Sequence, residues 1–116
     1  GPSRLLDTRD GTGTGVVQRV GRSPLSLAVV GKAGIPGAGV GAVLLNVTAV
    51  EPTADTFVTV FPGGTALPNA SNLNAVRGQI VPNMVLARVG AGGDVQFANY
   101  AGDTDLVADV FGYFTI

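Results

Sequence analysis

The chain has no histidine and no cysteine. Without histidine, the commonest general base, the commonest zinc ligand and the side chain that titrates near neutral pH are all missing. Without cysteine there are no disulfides and no thiolate metal sites, which leaves the redox compartment open. Tryptophan is also absent and aromatics make up only 6% of the chain, so broad ring platforms are scarce. Charged residues make up 13%, against roughly 25% in an average soluble domain. The seven basic and eight acidic residues nearly cancel and form no basic run, so the electrostatic footprint of a nucleic-acid or anionic-membrane binder is missing. No apolar run approaches the roughly 20 residues of a membrane helix, and no signal peptide is recognisable.

What replaces the charge is glycine (18 residues), threonine, asparagine and alanine. A surface so poor in charge has little to keep it bare, and cover by a copy, a neighbouring domain or a cell wall is expected. At 116 residues the chain is one domain, large enough to bury a core without staples. Gly1-Pro2 reads as a protease-cleavage scar, which makes residues 3–116 a module cut from a longer protein.

The stretch Ala42 to Val50 is nine residues without charge, rich in β-branched and aliphatic side chains that suit a pleated surface. Neither of its period-two faces is fully polar, which predicts a central strand covered on both sides. Phe57 to Phe61 is the next strand, with Phe57, Thr59 and Phe61 on one face. The short turn Glu51 to Thr56 predicts an antiparallel hairpin between the two. Shorter strand candidates are Val16 to Val20 and Leu25 to Val30. Ile80 to Val89 is a strand that Pro82 should bulge or delay to Asn83. Val95 to Tyr100 and Leu106 to Phe114 complete the set. About eight short strands, frequent turn signals and no convincing helix predict an all-β fold: an antiparallel β-sandwich, jelly-roll or Ig-like.

Two charged features fit this picture. Arg4, Asp7 and Arg9 surround Leu5 and Leu6, either as an edge strand whose arginines pair with acids elsewhere or as an Arg/Asp ligand site. Asp109 lies between apolar residues of the last strand, and a buried carboxylate needs a partner. Pairing with Arg4 and Arg9 would tie the last strand to the first, and breaking one side would cost roughly 3–5 kcal/mol.

The motifs R-L-L-D-T-R, V-L-L-N-V-T-A-V-E-P-T, F-V-T-V-F-P-G-G, P-N-A-S-N-L-N and L-V-A-D-V-F-G-Y-F follow one another from Arg4 to Phe114. In that order they resemble a repeat module of large secreted and surface proteins of actinobacteria, often found beside peptidoglycan hydrolases or other wall-associated domains. Similar modules occur in minor tail proteins of phages that infect those bacteria. The resemblance implies an extracellular accessory module that adheres, spaces or assembles, with neighbouring modules in the same chain. It carries over no catalytic residues.

Catalysis has little to work with. Serines and threonines lack a histidine to activate them, and a Ser-Lys dyad would need the only lysine, Lys32. Gly11 to Gly15 is glycine-rich but lacks the G-x-G-x-x-G spacing of a phosphate cradle. Asp103 and Asp105 are the only close carboxylate pair for glycoside hydrolysis, and equally a solvated turn. With Asp94 they are also the only acids to suggest calcium, in a spacing that matches no EF-hand. The best binding candidate is the asparagine-rich stretch. Asn69, Ser71, Asn72 and Asn74 offer amides and a hydroxyl that match sugar hydroxyls, and Tyr100 offers a ring. Asparagines also cap turns and satisfy their own backbone. The sequence therefore points to a non-catalytic module without a cofactor that binds cell-wall or cell-surface carbohydrate, or else to a structural, oligomerising module with no small ligand. Large apolar patches on the folded monomer would favour assembly. A groove lined by Asn69 to Asn74 would favour sugar.

Overall fold

A computed structural model of the chain describes residues 3–116; the reading of Gly1-Pro2 as a scar lies outside the described residues. Eight strands form: β1 (Ser3–Asp7), β2 (Leu25–Ala28), β3 (Val40–Val50), β4 (Thr56–Pro62), β5 (Leu73–Ala75), β6 (Ile80–Arg88), β7 (Asp94–Asn99) and β8 (Asp105–Thr115). They make two four-stranded antiparallel sheets, ordered β1-β8-β3-β6 and β2-β7-β4-β5. First pairs with last, second with seventh, third with sixth and fourth with fifth. The chain is thus one long folded hairpin rolled into two layers, which is the jelly roll rather than the Ig arrangement.

The core lies between the layers and follows the period of two. Val43, Leu45, Val47 and Ala49 of β3 face Val58 and Val60 of β4 and Val95 and Phe97 of β7, all within one buried cluster. β3 is interior to its sheet, between β8 and β6, as its composition predicts. Its second face is not covered, however: Leu44, Asn46 and Thr48 are only half-buried. The predicted β3–β4 hairpin is also absent. β3 belongs to one sheet and β4 to the other, and Glu51 to Asp55 turns the chain across the sandwich. Glu51 takes a left-handed φ of 51° at this corner.

Three further expectations are corrected. Val16 and Val17 are exposed, and Val20 makes only an isolated bridge to Thr104, so that stretch is not a strand. Pro82 neither bulges nor delays β6: the register with β3 runs unbroken from Ile80 to Arg88. β6 is an edge strand, and an edge tolerates the donor that proline lacks. Finally, β5 forms inside the asparagine-rich stretch, where no strand was expected.

Candidate functional site

The outer face of the β2-β7-β4-β5 sheet should be wet, yet three of its residues, Thr59, Phe61 and Ala98, are buried. The segment from Gly63 to Asn72 folds back over them. β5 pairs with β4 only as far as Val58, and beyond that point Asn72 replaces a strand. Its side-chain oxygen accepts the Val60 N–H at 2.7 Å, and its own N–H donates to the Val58 carbonyl at 2.9 Å. Thr59 donates its hydroxyl to the Ala70 carbonyl, and Asn83 of β6 donates its amide to the Asn72 carbonyl at 2.6 Å. The loop is thereby pinned to both sheets.

Under its edge lies a groove of about 370 Å³. Phe57 and Tyr100 form one part of it, Leu67, Pro68 and Asn69 of the loop another, and Arg22 and Pro24 the far rim. Tyr100 is placed by the backbone. Its N–H donates to the Phe57 carbonyl at 3.0 Å, which extends the β4–β7 ladder by one residue. The two rings stack with centroids 4.5 Å apart and planes 18° from parallel, while Tyr100 stays 65% exposed. Asn99 anchors the turn that follows: its amide donates to the Val20 and Gly102 carbonyls at 3.0 Å each and accepts the Thr56 hydroxyl at 2.6 Å. Stacked rings beside amides in a concave site suit a flat ligand with one apolar face and polar edges.

The structure divides the predicted sugar residues. Asn69 and Tyr100 line the same groove. Ser71 and Asn74 do not line it; the Ser71 hydroxyl donates to the Asn74 side-chain oxygen at 3.1 Å. Asn72 is a structural clamp. Phe57 and Arg22 complete the groove and were not identified as site residues from sequence. The acids singled out for calcium do not converge. Asp94 opens β7 and accepts the Ser26 hydroxyl at 3.0 Å, while Asp105 opens β8. The length of β7, roughly 17 Å at a strand rise of about 3.4 Å per residue, separates Asp94 from the turn that carries Asp103 and Asp105. Asp105 is held by the Thr8 hydroxyl at 2.7 Å and faces Arg19 at 3.7 Å. Lys32 and Ser3 line another open groove, and no hydrogen bond joins them among the described residues.

The charged cluster at the first strand also differs from expectation. Asp109 is part-exposed, not buried, and among the described residues its partner is Arg4 alone, with Nε to Oδ1 at 2.9 Å. Arg9 does not reach it. The buried carboxylate is Asp7, 3% exposed, which takes both Arg9 Nε and Nη2 at 2.9 Å and Arg4 Nη1 at 3.2 Å. The hydrogen bonds from Arg9, first among several causes, hold the Asp7 carboxyl below the usual carboxylate range. The Arg4–Asp109 pair is then a surface ion pair worth about 0–1 kcal/mol, not the 3–5 kcal/mol of a buried one.

The opposite sheet shows a different surface. On the outer face of β3, β6 and β8, Leu44 pairs with Leu86, Asn46 with Met84 and Ala42 with Phe114. Ile80, Met84, Leu86, Phe111 and Phe114 are all exposed there or at its margin.

No protein-family model matches the chain, and no curated protein matches it.

Proposed function

We propose that the chain is a non-catalytic accessory module of a secreted or surface protein that adheres to cell-wall or cell-surface carbohydrate through the groove over β4 and β7. The observation that carries this reading is the exposed Tyr100 ring, stacked on Phe57 and facing the Asn69 loop across a concave site. A pyranose presents its C–H face to a ring and its hydroxyl edge to amides, which is the chemistry this groove offers. The motif resemblance to wall-associated modules supports the same reading. Tyr100→Ala is expected to weaken binding to purified cell wall or wall oligosaccharides about tenfold, the loss of roughly one stacking interaction. Asn74→Ala, outside the groove, should leave binding unchanged. A wild-type module that binds no wall or surface glycan would overturn the proposal.

A second reading rests on the other sheet. The apolar outer face of β3, β6 and β8 is the kind of patch that monomers rarely leave bare, and β6 is an open edge. In this reading the module is structural and packs by that face on a second copy. Light scattering over a range of concentrations should then give a dimer, and Leu86→Asp with Met84→Asp should return it to a monomer. A wild-type monomer at every concentration would remove this role. The two faces lie on opposite sides of the sandwich, so one module has room for both.

A further inference from the structure

The groove does not stop at Tyr100. A second depression, of about 480 Å³, runs along Gln18, Gly21, Ser23 and Ser26, and Arg22 and Pro24 line both. The two adjoin at Arg22 and Pro24, and together they make a trough longer than a single sugar ring requires.

The charge along this trough is one-sided. Its lining holds two arginines, Arg19 and Arg22, and no carboxylate. Arg19 is committed to the fold: it faces Asp105 at 3.7 Å and donates to the carbonyls of Glu51, Val50 and Asp103. Arg22 is exposed, and among the described residues it makes no ion pair. Asp94 holds the Ser26 hydroxyl, and Asp103 lies against Gly21, where a Cβ would come within 2.9 Å of its oxygen. Arg22 thus presents an unpaired guanidinium where the largely apolar Tyr100 groove meets the more polar depression beside it. Its planar fork matches a carboxylate with two parallel hydrogen bonds.

We infer that the trough selects an oligosaccharide bearing a carboxylate, with the acid on Arg22 and the adjoining ring on Tyr100. This inference rests on the sugar-binding reading of the groove. The test is NMR titration of the module with two hexasaccharides of equal length. One alternates glucuronate and N-acetylglucosamine; the other is all N-acetylglucosamine and neutral. The acidic one is expected to bind about tenfold more tightly at low salt, with a preference that shrinks as salt rises. Arg22→Gln should abolish the preference, so that the acidic and the neutral hexasaccharide bind alike, while Arg22→Lys should keep part of it. Equal binding of the two by the wild type, or a preference that survives Arg22→Gln, would overturn the acid selectivity and leave the groove a sugar site. If neither probe shifts the Tyr100 and Asn69 resonances, the sugar reading falls and this inference with it.

Discussion

Phe97→Ala is expected to lower the unfolding free energy by about 3–5 kcal/mol. Phe97 is fully buried and among the largest of the fully buried side chains. It sits in the middle of β7, between Leu25 of β2 and Val60 of β4, so its ring is packed laterally by its own sheet. The opposite layer closes over it within the same apolar cluster. Alanine would leave a cavity that two hydrogen-bonded neighbours prevent from collapsing. A domain with a total stability of about 5–15 kcal/mol would be left marginal. Phe97→Leu retains most of the apolar volume and should cost about 1–2 kcal/mol. Phe111→Ala, at an exposed ring, should stay within about 0.5 kcal/mol of wild type. Urea unfolding of the three variants checks the order; a loss below about 1 kcal/mol for Phe97→Ala would show that the two sheets do not close over this ring.

The contrast between Phe97 and Phe111 shows what the sequence makes legible. Alternation marks Val95 to Tyr100 as a strand and puts Val95 and Phe97 on one face, and that face is the core. The same alternation applied to β8 puts Phe114 with Leu106 and fails, because the β3–β8 register shifts between Val110 and Gly112. The extra residue, Phe111, moves every later side chain to the other face, so Phe114 stands opposite Ala42 on the outer surface. Nothing local to F-G-Y-F announces a bulge. Connections suffer in the same way. A short turn such as Glu51 to Asp55 shows that two strands are antiparallel neighbours, but not whether they share a sheet or face each other across a sandwich. The all-β class needs only strand and turn signals and was readable; the strand order, which depends on pairings as distant as Ser3 with Val110, was not.

The candidate site was half legible for a related reason. The cluster of asparagines marked the loop that borders the groove, since this composition belongs to chain that folds back on itself. Which asparagine turns outward is decided by β4. The Val60 N–H lies beyond the end of β5 and takes the Asn72 side chain, and Asn69 is left on the groove side of the loop. Tyr100 was found from its residue type. Phe57 was read as one ring of a strand face, and only the extension of the ladder to Tyr100 brings the two rings together. Arg22, in a glycine-proline turn, carries no sequence signal beyond its charge.

Asp7→Asn is expected to cost about 2 kcal/mol at pH 7 and progressively less as the pH falls through the folded carboxyl's lowered value. Asp7 is the buried acid of the fold, with charge-assisted bonds from Arg4 and Arg9 and a further bond from the Arg9 backbone N–H at 3.0 Å. Bonds to a charged group contribute about 1.5–3 kcal/mol, and the value is kept low here because both guanidinium groups are nearly half exposed and can return to water. The pH dependence follows from the depressed carboxyl. In the unfolded chain Asp7 takes up its proton near pH 3.9, but in the fold only at lower pH. Between those points the unfolded state binds more protons, so stability falls as pH falls. The contribution is complete above about pH 4–5 and is lost as pH drops through the folded value. With no histidine in the chain, no side chain of ordinary pKa titrates between pH 5 and 8, and the melting temperature should be flat there. Arg9→Ala removes the largest cause of the depression, so the folded carboxyl rises toward its unfolded value and the acid limb of the curve becomes shorter and shallower. Melting temperatures of wild type, Asp7→Asn and Arg9→Ala from pH 2 to 8 test all three statements. Parallel curves for wild type and Asp7→Asn would mean that Asp7 titrates alike in both states and does not tie the first strand down.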